Sequence, residues 1–119
     1  MYRSSDKTLK TNIKAFNSGI STIMKLNTYS YFIKEDKDNL VLEYGFLSQE
    51  IEKVLPSITC RSKDVLMIDY DQITPILVEA VKEQQKQIEI LQKIVFSQEN
   101  ELINIKSNTN IQELDKKNQ

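Results

Sequence analysis

The sequence predicts an α+β protein: a small head with a short β-hairpin and short helices, followed by one long C-terminal helix that winds around copies of itself. Three observations carry this reading. From Ile73 to Ile105, Leu77, Val81, Gln84, Ile88, Leu91, Val95, Gln98, Leu102 and Ile105 follow one another at alternating steps of four and three. That is a heptad seam, with Val81, Ile88, Val95 and Leu102 at a and Leu77, Gln84, Leu91, Gln98 and Ile105 at d. Ahead of the helix lie two short stretches rich in β-branched and aromatic residues, Thr28–Ile33 and Leu40–Phe46, separated by the charged run Lys34–Asn39. They read as the two strands of a hairpin. Finally, the chain holds only two glycines and two prolines, which favours regular structure with short connections. A helix of roughly 33 residues is about 50 Å long. The residues before it are too few to cover such a length, so the apolar stripe needs partners, and the nearest at hand are other copies of the chain.

The elements follow in order. Met1–Ser4 reads as a frayed end. Ser5–Ile13 alternates weakly and suits a short strand or an extended arm. Ser18 is a candidate N-cap for a short helix reaching Leu26, with Ile20, Ile23, Met24 and Leu26 on its buried face. After the hairpin, Ser48 is a second candidate N-cap, with Gln49 and Glu50 in the first turn and Ile51, Val54 and Leu55 on the apolar face. Pro56 stops that helix. Val65–Ile68 reads as a third strand, and Pro56–Asp64 carries no diagnostic pattern. Asp69–Asp71 lead into the long helix as caps, with Pro75 tolerable in its first turn. Beyond Ile105 the heptad pattern lapses, and the polar tail is expected to fray, with Ile111 and Leu114 able to add one loose turn. The expected divisions are therefore 1–4, an upstream remnant; 5–72, the head; 73–106, the coiled-coil helix; and 107–119, the tail.

Composition narrows the function. With 16 basic and 17 acidic residues the formal net charge is −1, so no charge imbalance draws the chain to nucleic acid or to an anionic membrane. No apolar run approaches the length of a membrane span, and no secretory signal opens the chain. Cys60 is the single cysteine and reads as structural. Histidine is absent, which removes the usual general base and the usual metal ligand. No metal, cofactor or small-molecule ligand is expected. Tyr29, Tyr31, Tyr44 and Phe46 read as hairpin core rather than a ligand platform. In the seam, Gln84 and Gln98 loosen the packing while helping to fix register, and the a and d residues leave dimer and trimer both open.

Four stretches, taken together, resemble a known family. Ser5-Asp6-Lys7-Thr8-Leu9-Lys10-Thr11-Asn12-Ile13 looks like the opening "SDxxLKxNI" of the intramolecular chaperone auto-processing domain. That domain closes phage endosialidases, tail spikes and tail fibres, and a related one occurs in the myelin regulatory factor. Tyr29-Ser30-Tyr31 resembles its "Y-x-Y/F" strand. Tyr44–Pro56 (YGFLSQEIEKVLP) resembles its "YGFIAQEVEKVLPE" segment. Ile68–Leu77 (IDYDQITPIL) resembles the "VDYDQLIPLLVEAIKE" lead-in to its terminal helix. The likeness runs from residue 4 to about 95. Lys7 and Thr8 depart from the arginines common there, and Ser48 replaces an alanine. Met1 stands only four residues before Ser5, whereas family members carry a long fibre or enzyme upstream. A fragment, an excised domain and a stand-alone copy are all compatible with that.

The resemblance implies a homotrimer, and partners limited to the chain's own copies and an upstream fibre or spike of the same polypeptide. It implies a C-terminal intramolecular chaperone that helps the upstream segment fold and then releases itself. Cleavage would fall between Ser4 and Ser5, with Ser5 as nucleophile and Lys10 as its base in a Ser-Lys dyad. Asp6, Gln49 and Glu50 are candidates for support. The setting implied is the cytoplasm of an infected bacterium during virion assembly, with the domain lost from the mature virion. A serine needs a base to lose its proton, and without histidine a lysine is the natural one. That lysine must be neutral, and burial or a cationic neighbour such as Lys7 would push its pKa down. Five extended residues span about 16 Å, so Ser5 and Lys10 meet only if the chain turns between them. The alternative functions are a non-cleaving trimerisation clamp and a stand-alone coiled-coil adaptor.

Overall fold

The computed structural model describes residues 2–118. The chain divides into two compact units, Met1–Val81 and Lys82–Gln119. In the first, α1 (Gly19–Ile23) is followed by an antiparallel hairpin of β1 (Tyr29–Tyr31) and β2 (Glu43–Gly45), with Tyr29 opposite Gly45 and Tyr31 opposite Glu43. Next comes α2 (Ser48–Val54), then a second antiparallel hairpin of β3 (Thr59–Ser62) and β4 (Val65–Ile68), with Thr59 opposite Ile68. The final helix, α3 (Ile73–Lys117), begins in this unit and continues through the second. This is the α+β architecture expected, with two separate two-stranded sheets.

Local chemistry explains the boundaries. Lys34–Asn39 makes the expected turn: the Asp36 and Asn39 amides donate to the Ile33 and Asp36 carbonyls, and Asn39 adopts a φ of 51°. The Asp36 carboxylate also accepts from the Val41 amide at 2.9 Å, so residues 40–42 are held in the loop and the returning strand is shorter than its alternation suggests. Pro56 ends α2 by opening a 3-10 turn, Pro56–Ile58. Of the two expected N-caps, one stands in place and one is shifted by a residue. Ser18 occupies the N-cap of α1 but offers its carbonyl, not its side chain, to the helix. Leu47, not Ser48, is the N-cap of α2. α1 ends at Ile23, with Met24 well exposed instead of buried; only Leu26 reaches the core from its C-terminal side.

The core of the first unit gathers Ile51, Ile58 and Ile73, with Leu26, Phe46, Leu55 and Ile68 packed against them. Ile73, Ile76 and Ala80 are the buried residues of α3, at i, i+3 and i+7 on one face. The first turns of α3 thus present two apolar faces. One is sunk in the head, and the seam residues Leu77 and Val81 lie outside it and are exposed. Gly45 sits where a Cβ would come within 2.6 Å of the Tyr70 hydroxyl and 2.7 Å of the Tyr31 hydroxyl, which ties the first hairpin to the segment just ahead of α3.

In the second unit α3 stays helical past Ile105 to Lys117, so the polar segment 107–117 continues the helix instead of fraying from it. No glycine or proline interrupts that segment, and Lys116 and Lys117 complement the negative end of the helix dipole. Ile88, Leu91, Val95, Leu102 and Ile105 are all exposed on the single chain. Among the described residues no helix is long and apolar enough to cross a membrane.

Candidate active site

The segment from Ser5 to Lys10 is neither a strand nor a plain extended arm. Asp6 accepts from the Thr8 amide and the Thr8 hydroxyl, both at 2.8 Å, and so caps a single 3-10 turn, Lys7–Leu9. Those contacts, the backbone amide first and the hydroxyl second, hold the Asp6 carboxyl below the usual carboxylate range. A carboxyl so depressed supports the turn at neutral pH and withdraws that support only as the pH falls through its lowered pKa. The turn folds the chain back by the amount the spacing demands. Lys10 Nζ comes to 2.6 Å from Ser5 Oγ, well within hydrogen-bond reach.

Around this pair is a cleft of about 560 Å³ lined by Arg3, Ser4, Ser5 and Lys10 on one side and by Asp71, Gln72, Thr74 and Pro75 on the other. The start of α3 therefore forms one wall of the cleft. Sequence reading treats Asp69–Asp71 only as caps. Asp69 is the N-cap of a 3-10 turn, Tyr70–Gln72, just ahead of α3, and caps it through its carbonyl and not its side chain; both aspartates also receive the Arg3 guanidinium: Nη1 lies 3.1 Å from Asp71 Oδ2 and Nη2 lies 3.4 Å from Asp69 Oδ2. The Gln72 side-chain amide also donates to Asp69 Oδ2 at 3.0 Å. Gln72 first, and Arg3 with it, hold the Asp69 carboxyl below its ordinary value. No periodicity links residues 66 and 68 positions apart, so the only sequence signal for this arrangement is opposite charge.

The other candidates lie elsewhere. Glu50 Oε1 accepts from the Tyr29 hydroxyl at 2.6 Å, which raises the Tyr29 pKa, and neither Gln49 nor Glu50 lines the cleft. Tyr31 is pushed up by burial and then by Tyr70. Tyr70 in turn accepts from the Phe46 amide at 3.2 Å and packs its ring 5.6 Å from that of Phe46. These aromatic groups brace the hairpin against the lead-in to α3, and that lead-in carries the acidic wall of the cleft. Cys60 is a free, exposed thiol in β3.

Comparison with known proteins agrees with the motifs. Residues 5–59 match the peptidase S74 family, described as chaperone of endosialidase, and the match opens at Ser5 itself. The chain is also 33% identical over 99 residues to the long tail fiber protein Gp37 of Salmonella phage S16. That alignment takes in 76% of this chain but 13% of the relative, so the chain corresponds to a small part of a much longer fibre protein. At family level the kind of enzyme is a self-cleaving serine peptidase. With these matches and the four motifs in order, the chain belongs to the chaperone-of-endosialidase family.

Proposed function

We propose that this chain is a C-terminal intramolecular chaperone of a phage tail fibre, acting as a homotrimer and releasing itself by one cut between Ser4 and Ser5. The observation that carries the cleavage reading is the 2.6 Å approach of Lys10 Nζ to Ser5 Oγ, made by a turn that a histidine-free chain has built beside its own N-terminal peptide. Lys10 in its neutral form takes the Ser5 hydroxyl proton as Oγ attacks the Ser4 carbonyl carbon. The Ser4–Ser5 amide bond breaks, the proton passes to the departing Ser5 nitrogen, and an ester joins Ser4 to Ser5 Oγ. Water then hydrolyses that ester, leaving a carboxylate on Ser4 and restoring the Ser5 hydroxyl. Each chain cuts once, and no other reactant is consumed.

The exposed seam from Leu77 to Ile105 supports the trimer, since a heptad stripe left bare on one chain is buried when three copies wind together. A fibre of non-local β-contacts folds slowly and exposes strand edges on the way. A clamp at its C-terminus holds three chains in register at high local concentration. Cutting afterwards removes the clamp and traps the fibre kinetically, in the cytoplasm of the infected host. The chaperone and the peptidase are separable by expressing the natural fibre with this domain behind it. Wild type should give soluble fibre and a detached domain beginning at Ser5. Ser5→Ala should give soluble fibre with the domain still joined. Deleting the domain should give aggregated fibre. Soluble fibre with wild-type domain still attached would favour the non-cleaving clamp.

A further inference from the structure

Arg3 lies two residues before the proposed scissile bond, on the piece the cut would release. Outside any helix or strand itself, it ends in a two-pronged ion pair with Asp69 and Asp71. Those two acids are not loosely placed. They flank Tyr70, Asp69 as the N-cap of the 3-10 turn Tyr70–Gln72 and Asp71 within it, and the Tyr70 ring and hydroxyl are fixed on Phe46. Gln72 secures Asp69 from the other side. Asp71 shares the cleft with Ser5 and Lys10. The lead-in to α3 therefore offers a prearranged acidic seat, and the residue sitting in it belongs to the substrate.

We propose that Asp69 and Asp71 are positioning residues that dock the Arg3 guanidinium and thereby hold the Ser4 carbonyl against Ser5 Oγ. A planar guanidinium meeting two carboxylates fixes direction as well as distance. From Arg3 to the Ser4 carbonyl the chain has at most about 7 Å of reach. Anchoring the side chain thus removes most of the freedom of the bond to be cut, and small misplacements of a reacting group cost large factors in rate. Arg3 and Asp71 are solvent-exposed and Asp69 is only half-buried, and ion pairs so open to water add little to stability, so the contact's effect is expected in the rate of cutting and not in folding. Any upstream sequence delivering an arginine at this position would be accepted by the same seat.

This inference rests on the proposed Ser5–Lys10 chemistry, and its test separates the two. The 119-residue chain carries its own scissile bond, so loss of residues 1–4 is read by intact mass. Arg3→Ala, and Asp69→Asn with Asp71→Asn, should each slow the cut about tenfold or more while leaving the melting temperature unchanged. Arg3→Lys should recover part of the rate, since it keeps the charge and loses the fork. Raising the salt concentration should slow wild type and leave Arg3→Ala unaffected. A second readout needs no self-cleavage: in the uncut Ser5→Ala chain, trypsin should cut after Arg3 slowly, and faster once the two aspartates are replaced by asparagine. Wild-type rates in Arg3→Ala and in the double asparagine variant, with trypsin cutting both uncut chains alike, would overturn the seat and leave the dyad standing. A wild-type chain that never cuts would overturn the dyad and the seat's catalytic role together.

Discussion

Gly19→Ala should melt the head about 12 °C or more below wild type, at matched protein concentration. Helix propensity alone argues the other way, since alanine is favoured over glycine by about 1 kcal/mol inside a helix. Sterics decide. A Cβ on Gly19 would overlap the backbone nitrogen of Ala80 and lie 2.7 Å from the carbonyl carbon of Glu79 and 2.8 Å from the Ala80 Cα. These are main-chain atoms of α3, itself held by Ile73 and Ile76 in the core, so no side chain can swing away. Overpacking of this kind costs about 3 kcal/mol where the backbone must move. Ala80, buried and small, is the matching half of the contact. A variant as stable as wild type, followed by circular dichroism, would show that α1 does not rest on α3 in this way.

Leu91→Asp should convert a trimer into monomers at micromolar concentration, while Ile103→Asp should leave it intact. The two residues are almost equally exposed on one chain, at 59% and 60%, so a monomer would treat both changes alike. In the heptad register Leu91 is a d residue and Ile103 a b residue, and only the first is buried when three helices associate. Three carboxylates would then share one desolvated layer without a counter-charge, at several kcal/mol per ion on the order of the usual penalty. Sedimentation equilibrium reads both outcomes. If neither variant changes the mass, or if both do, the seam is misassigned.

Much of the fold is legible in the residues because it follows from local periodicity. β1, α2, β4 and the start of α3 stand where alternation, an apolar face and a proline stop put them. β3 escapes notice because Thr59-Cys60-Arg61-Ser62 has no apolar alternation of its own. It becomes a strand only through pairing with β4, across a turn in which Lys63 takes a φ of 57° without a glycine to announce it. The length of α3 beyond Ile105 is likewise hidden, since a polar helix end lacks a stripe but also lacks a breaker. The Ile73, Ile76 and Ala80 face was masked by the seam that shares its turns. At the site, Ser5 and Lys10 were legible as residue types through family motifs. The turn that joins them needed the Asp6–Thr8 contact, and the acidic seat joins residues far apart in the chain, which no local pattern reports.

The most direct test of the proposed chemistry compares the two lysines nearest Ser5. Lys10 lines the cleft and Lys7, the first residue of the 3-10 turn, does not. Intact-mass analysis should find Ser5 as the new N-terminus in wild type and in Lys7→Ala, because the amine within reach of the serine proton is that of Lys10. Lys10→Ala, and Lys10→Arg with its permanently charged guanidinium, should stay uncut while sedimenting like wild type. A folded Lys10→Ala chain that still cuts between Ser4 and Ser5, beside a folded Lys7→Ala chain that does not, would contradict the dyad.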